Sequence, residues 1–157
     1  MKRPWNQIDE AVYSLVTKQG ERANMNICTY VTPVSMKPKI YAIAVYQNTC
    51  SLSFMENSHE AVLQFLAPEQ YPLVRVLGQK SGHHYDKMAY LQKKDLLEEW
   101  KQFPVLKHTA ARLLLRKQQR VESGDHVLFL FHAEAWQASQ PEVLTLRTLT
   151  EKKIIRI

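Results

Sequence analysis

The sequence predicts a mainly all-β domain, a closed or half-closed antiparallel barrel carrying a few short helices. Three observations lead there. Stretches rich in β-branched and aromatic residues recur between Gly, Pro and Asn turn signals, about seven of them along the chain. Two long stretches, "ARLLLRKQQRVES" (111–123) and "DHVLFLFHAEAWQA" (125–138), flank a Gly124-Asp125 hairpin turn. The segments with helical spacing are short or interrupted by proline.

Taken in order, "AVYSLVTKQG" (11–20) reads as a strand that turns around Gly20, and "ANMNICTYVT" (23–32) as a second strand closing at Pro33. Two prolines in "TPVSMKP" (32–38) predict an irregular loop, because proline lacks the ladder donor and restricts the residue before it. "KIYAIAVY" (39–46) is nearly continuous in apolar residues, as a strand buried on both faces would be. "SLSFMENS" (51–58) predicts a short helix with Leu52, Met55 and Phe54 toward one side. "EAVLQFL" (60–66) predicts a strand and "APEQYPLVRVLGQ" (67–79) a short helix broken at Pro72. "QKKDLLEEWKQFP" (92–104) is polar and predicts irregular or weakly paired chain, and the last fifteen or so residues fit helix and strand equally.

A chain of 157 residues with 45% hydrophobic and 23% charged residues suits one globular domain over 1–157. Its net charge of +6 suits an anionic partner without naming one. Cys28 and Cys50 form no CxxC pair and no disulfide framework. The start "MKRPWNQIDE" does not read as a signal peptide, and "VLFLF" is too short to span a bilayer, so a cytoplasmic location is expected.

Candidate chemistry is weighed against structural alternatives. His83, His84 and Asp86 are possible metal ligands, with Cys28, Cys50, His108, His126 and His132 elsewhere, but no HxH, HExxH or CxxC spacing joins them. Adjacent histidines on extended chain point apart, which favours solvent-facing rings over a metal site. No GxSxG elbow, dinucleotide fingerprint or Walker loop is present. Lys107, Arg112, Arg116, Lys117 and Arg120 form an acid-free basic run of the kind small barrels use to bind nucleic acid. Most aromatics occupy core-like positions, which favours a solvated strand edge instead. The loop "GQKSGHHYDKM" (78–88) suits an anion. Gly78 and Gly82 allow a tight turn with exposed N–H groups, Ser81 adds a hydroxyl and Lys87 a cation.

Together, "NMNICTYVTPVSMKPKIYAIAV", "LVRVLGQKSGHHYDKM" and "SGDHVLFLFHAEAW" resemble, in that order, the flavin reductase-like FMN-binding split-barrel family. The resemblance runs from about Val12 to Trp136. It implies a six-stranded antiparallel Greek-key split barrel with short peripheral helices, a homodimer, and FMN near the subunit interface. By the same resemblance Asn26, Ile27, Cys28 and Thr29 lie along the flavin. Asn48, Thr49 and Ser51 contact ribityl or phosphate oxygens. Ser81, Gly82 and Lys87 close over the phosphate, and His126 approaches the ring or an incoming nicotinamide. Two positions depart from the family pattern: Ile27 stands where Thr is common, and Gln64 where Asn is common. The function implied is NAD(P)H-dependent flavin reduction or flavin-based electron transfer. The alternatives are an FMN-binding module without turnover, or a basic barrel that binds nucleic acid.

Overall fold

The computed structural model describes residues 1–157. Strand β1 (Tyr13–Gln19) turns through Gly20, at φ +62°, into β2 (Arg22–Met25). There follow β3 (Val31–Ser35), β4 (Ile40–Tyr46), helix α1 (Cys50–Glu56) and β5 (Glu60–Phe65). A 3₁₀ turn at Pro68–Gln70 precedes α2 (Leu73–Gln79) and α3 (Lys87–Lys93), then a small hairpin of β6 (Leu97–Trp100) and β7 (Phe103–Leu106). The long hairpin β8 (Ala111–Ser123) and β9 (His126–Ala138) turns at Gly124, φ +59°, a conformation that glycine adopts without a Cβ penalty. Helix α4 (Leu146–Glu151) ends the ordered elements.

One antiparallel sheet runs β2-β1-β5-β8-β9-β4-β3, with β6-β7 apart from it. It therefore has seven strands rather than six, because the second predicted strand is divided. Only Arg22–Met25 forms a full ladder with β1, and Cys28 adds an isolated bridge to Tyr13. The chain then leaves β1: the Tyr30 carbonyl accepts from Ala44 N at 3.0 Å, and β3 continues along β4. Residues 26–30 thus join the two edges of the sheet.

The expected loop at 32–38 is in part strand β3. Pro33 is tolerated because β3 is an edge with a partner on one side only, and the ladder shifts register between Pro33 and Ser35. The polar stretch at 92–104 is more ordered than its composition suggests, holding the end of α3 and the β6–β7 hairpin. The C-terminal ambiguity resolves to helix, with Thr145 capping α4 by accepting from Thr148 N.

Two cores lie on opposite faces of the same strands. Leu15, Ala61, Leu63, Leu115, Phe129 and Phe131 fill the barrel interior. Val16, Val62, Leu77, Leu91, Leu106 and Leu149 pack in a second layer, where α2, α3, α4 and the small hairpin cover the outside of β1 and β5. The period of two sends neighbours to opposite layers, which is why consecutive residues of β1 and β5 are buried, Ser14, Thr17 and Gln64 among them. Gln64 belongs to the second layer. Its Oε1 accepts from Leu106 N at 2.6 Å and its Nε2 approaches Met25 Sδ at 3.6 Å, so this departure from the family pattern anchors the hairpin.

Gln64→Leu would keep the volume and orphan the Leu106 N–H. The expected cost is about 1–3 kcal/mol in urea unfolding, and an unchanged midpoint would contradict this role.

Candidate functional site

A cavity of about 470 Å³ opens where three segments converge: the crossing at 26–30, the turn from β4 into α1, and the loop between α2 and α3. Asn26 marks the point where β2 leaves its ladder. Its Oδ1 accepts from Leu15 N at 3.1 Å, replacing a backbone acceptor, and its Nδ2 remains for the cavity. Cys28 exchanges two 2.9 Å backbone bonds with Tyr13, and burial pushes its thiol up to about 12. Cys28 is therefore an apolar wall rather than a nucleophile. Ile27 and Thr29 flank it along the same wall.

The turn into α1 contributes Asn48, Thr49 and Ser51, and the structure distinguishes them. The Thr49 hydroxyl donates to Tyr46 O at 2.8 Å and accepts from Leu52 N at 3.3 Å, as the helix N-cap. Its only proton is committed, so Thr49 can serve an anion through its backbone but not its hydroxyl. Ser51 is buried and accepts from Asn24 Nδ2 at 2.9 Å, which leaves its own proton for the cavity. Asn48 is exposed at the rim.

At the end of α2 and in the loop that follows it, Gly78 and Gly82 act differently from the expectation of a tight turn. Neither Gly78 nor Gly82 has a positive φ. A Cβ on Gly78, in the last turn of α2, would lie 3.1 Å from Ile27 Cβ. One on Gly82 would lie 3.0 Å from Asn24 Oδ1 and 3.1 Å from Cys50 Cβ. Both residues let the loop seat directly against the cavity walls. Ser81 organises the turn, accepting from His83 N at its hydroxyl and from His84 N and Tyr85 N at its carbonyl.

Lys87 is the polar centre of the site. It is only 8% exposed, yet its Nζ donates to Leu77 O at 2.6 Å and makes no other hydrogen bond. Burial lowers its pKa, opposed by the Cys50 thiol nearby. An ammonium carries three donors, so two remain for a ligand. Across the cavity, His126 Nδ1 lies 2.6 Å from Asp125 Oδ1, which leaves Nε2 as the nitrogen available to a ligand. The ring sits between Tyr30 and Tyr46, at centroid distances of 5.0 and 5.4 Å.

All the residues singled out by resemblance line this one cavity. Sequence reasoning missed Tyr30, Tyr46, Cys50, Gln79 and Lys80, which line it as well. Tyr46 could have been found from register, since it pairs directly with His126 across β4 and β9. Gln64 does not line the cavity. No group of three or more His, Cys, Asp or Glu side chains gathers anywhere with metal-holding geometry.

The basic run is internally neutralised. Lys107 pairs with Asp95, Arg112 with Glu98, Arg116 with Glu134, and Arg120 with both Glu56 and Glu122. The Lys117 ammonium donates to the carbonyls of Met55 and Glu56. A stripe whose cations already hold acceptors presents little free charge to phosphates.

Comparison with known proteins agrees with this geometry. The sequence profile of the Flavin reductase like domain matches residues 5–146. The chain belongs to that family. An uncharacterized protein of Archaeoglobus fulgidus is 25% identical over 135 residues, covering 82% of this chain and 76% of the other. The flavin reductase-like chain also superposes on an FMN-binding protein from Thermus thermophilus solved with 1-cyclohex-2-enone bound. That match has a TM-score of 0.77 and 19% identity over 88% of this chain and 75% of that one. Flavin reductase PheA2 matches with a TM-score of 0.73 and 18% identity, over 86% and 83% of the two chains.

The two cysteines should differ in reactivity. At pH 8 iodoacetamide is expected to label the half-buried Cys50 and spare Cys28 in the folded protein, and to label both in urea. Peptide mass mapping that finds Cys28 alkylated as fast as Cys50 in the folded state would contradict the assignment of Cys28 as buried wall.

Proposed function

We propose that this protein binds FMN in the cavity at 26–30, 48–51 and 78–87 and serves NAD(P)H-linked flavin reduction or flavin-based electron transfer. The observation that carries this reading is Lys87, a buried ammonium with one carbonyl partner on the wall of a cavity that no acidic side chain lines. Burying a cation is costly unless something compensates it, and a phosphate group would.

The donor set fits the cofactor. Lys87 and Ser51 offer N–H and O–H donors to phosphate oxygens, and no carboxylate lines the cavity to oppose them. Ile27, Cys28 and Val45 offer the apolar surface that a flavin ring requires, and Asn26 Nδ2 offers an amide donor beside it. Bound there, FMN would supply hydride and electron exchange at its isoalloxazine ring. The protein's own part is to bind, orient and shield. Tyr30, Tyr46 and His126 form an aromatic rim on which a nicotinamide ring can stack, and Asp125 holds the imidazole that faces it. This arrangement asks no side chain for acid–base work.

We extend the proposal to residues 1–157 as one functional unit, and to a homodimer. Tyr30, Val34, Met36 and Tyr46 are exposed from the cavity rim along edge strand β3, an apolar surface suited to a second subunit. No helix is long and apolar enough to cross a membrane.

Stopped-flow oxidation of NADH and NADPH with FMN present tests the activity. Flavin-dependent oxidation supports a reductase, whereas retained FMN without oxidation supports a binding module. Neither behaviour would contradict flavin binding, but failure to bind FMN at all would remove this reading. Sedimentation velocity tests the dimer, and a monomer at micromolar concentration would contradict it.

Lys87 makes the phosphate interaction dependent on pH. Burial places its pKa below the ordinary 10.5, so the ammonium is lost before the pH reaches that value. The affinity for FMN should therefore fall as pH rises from about 7 to 10, while that for riboflavin, which has no phosphate, should not follow it. Lys87→Arg keeps its charge throughout and should abolish the decline. Lys87→Met should weaken FMN roughly ten- to hundredfold. Fluorescence titrations in which FMN and riboflavin decline alike, or in which Lys87→Arg declines as the wild type does, would contradict this role.

A further inference from the structure

The net charge of +6 is not spread evenly over the surface. The basic run at 107–120 is neutralised by its own partners. Another group of cations makes no ion pair at all: Lys2, Arg3, Lys80, Lys152, Lys153 and Arg156. Every one of them is exposed.

The fold joins these residues into one strip. Beyond α4 the chain reads Lys152-Lys153-Ile154-Ile155-Arg156. Ile154 and Ile155 pack on the second core layer, which leaves Lys152, Lys153 and Arg156 in solvent. Lys152 Nζ lies 5.2 Å from the centre of the Tyr71 ring, just ahead of α2. At the far end of α2, Gln79 Nε2 donates to Ile154 O at 3.2 Å. The tail is thus held at both ends of α2. Arg156 then meets Lys2 and Arg3 around a hollow of about 530 Å³ that no acidic side chain lines. Glu151, which closes α4, is the acidic side chain nearest to this tail in sequence, and it makes no ion pair either.

The strip begins at the proposed flavin site. Gln79 and Lys80 both line that cavity, so the residue that ties down the tail is also part of the cavity wall. The Lys80 ammonium lies 4.2 Å from the centre of the Tyr85 ring, held by an aromatic face and not by a carboxylate. At the other end of the strip, Trp5 follows Arg3 in the 3₁₀ turn Pro4–Asn6 and is 71% exposed. Exposed Trp and Arg are the side chains that most often anchor a protein partner, and unpaired Lys and Arg around them steer an oppositely charged one.

We propose that this strip docks the acidic face of an electron-accepting protein, which takes its electrons at the mouth of the flavin cavity. The assignment rests on the flavin reading of that cavity and deepens it by naming the class of partner. A lipid surface would meet the same charges, but only a partner that exchanges electrons has a use for charge placed at the mouth of a flavin site. The electrons balance: one NAD(P)H gives up two electrons and a proton, two one-electron acceptors are each reduced, and the proton goes to solvent.

Two measurements on the full chain test the proposal, in the wild type and in the triple variant Lys2→Glu, Lys153→Glu, Arg156→Glu. These side chains are exposed and outside the flavin cavity, so the variant is expected to fold and to bind FMN as the wild type does. The first measurement is titration of the FMN-free chain with an oligoglutamate peptide, which the wild type should bind at low salt and the variant should not. The second is stopped-flow electron transfer from the FMN-loaded, NAD(P)H-reduced protein to ferricyanide and to hexaammineruthenium(III). The variant should reduce anionic ferricyanide roughly tenfold more slowly than the wild type at low ionic strength, and the gap should close at high salt. With the cationic acceptor the order should reverse. Equal rates for the two proteins with both acceptors, or equal peptide binding, overturn the docking surface alone. Charge-dependent sedimentation with phosphatidylglycerol vesicles, with acceptor rates indifferent to the variant, assigns the strip to a lipid surface and overturns it too. Failure of the wild type to bind FMN overturns the flavin reading and this proposal with it.

Discussion

Residues 26–30 satisfy two sheet edges with a single stretch of backbone. Asn26 and Cys28 still bond to β1, and by Tyr30 the chain bonds to β4. No regular ladder serves both edges at once, because strand neighbours lie about 4.8 Å apart and the edges are splayed by sheet twist. The crossing therefore leaves side chains and amides from this stretch facing a gap instead of a neighbouring strand. That gap is the cavity. Asn26 resolves the first break by lending its own oxygen to Leu15 N, which frees the rest of the stretch to line the opening.

Everything else at the site closes this gap. The β4–α1 turn is fixed by the Thr49 cap, α2 approaches Ile27 through Gly78, and the following loop approaches Cys50 through Gly82. Lys87 then ties α3 to the end of α2 by a single bond to Leu77 O. The two-core arrangement makes such precision possible. Because β1 and β5 are buried on both faces, the wall carrying residues 26–28 is held from the barrel interior and from the helical layer at once. A buried cation on a rigid wall is preorganised for an anion, and this is what the protein contributes when the reactive chemistry belongs to a cofactor.

The sequence displayed the parts of this design that depend on local rules. The Gly124 turn, the apolar strand at 40–46 and the short helix after Cys50 follow from turn chemistry and side-chain period. The site residues were legible only as a set of motifs in order, since Ser, Gly and Lys in a loop are common by themselves. What stayed hidden depends on tertiary context. Pro33 looks like a strand breaker until β3 is known to be an edge. Gln64 looks like an altered flavin contact until its face of β5 is known, and it then proves to hold Leu106. The hydroxyl of Thr49 looks available until the cap commits it, and the two loop glycines suggest a nest until their neighbours reveal close approach. Likewise the basic run at 107–120 looks free until its partners, drawn from β6, α1 and β9 among others, arrive from distant parts of the chain.

The most direct test of the central claim is a ¹H–¹⁵N correlation spectrum of the protein recorded during titration with FMN. The account predicts that the largest shifts fall in three separated segments, 26–30, 48–51 and 78–87, together with the His126 amide. Shifts concentrated on the outer face of the long hairpin at 111–123, with those segments silent, would contradict it.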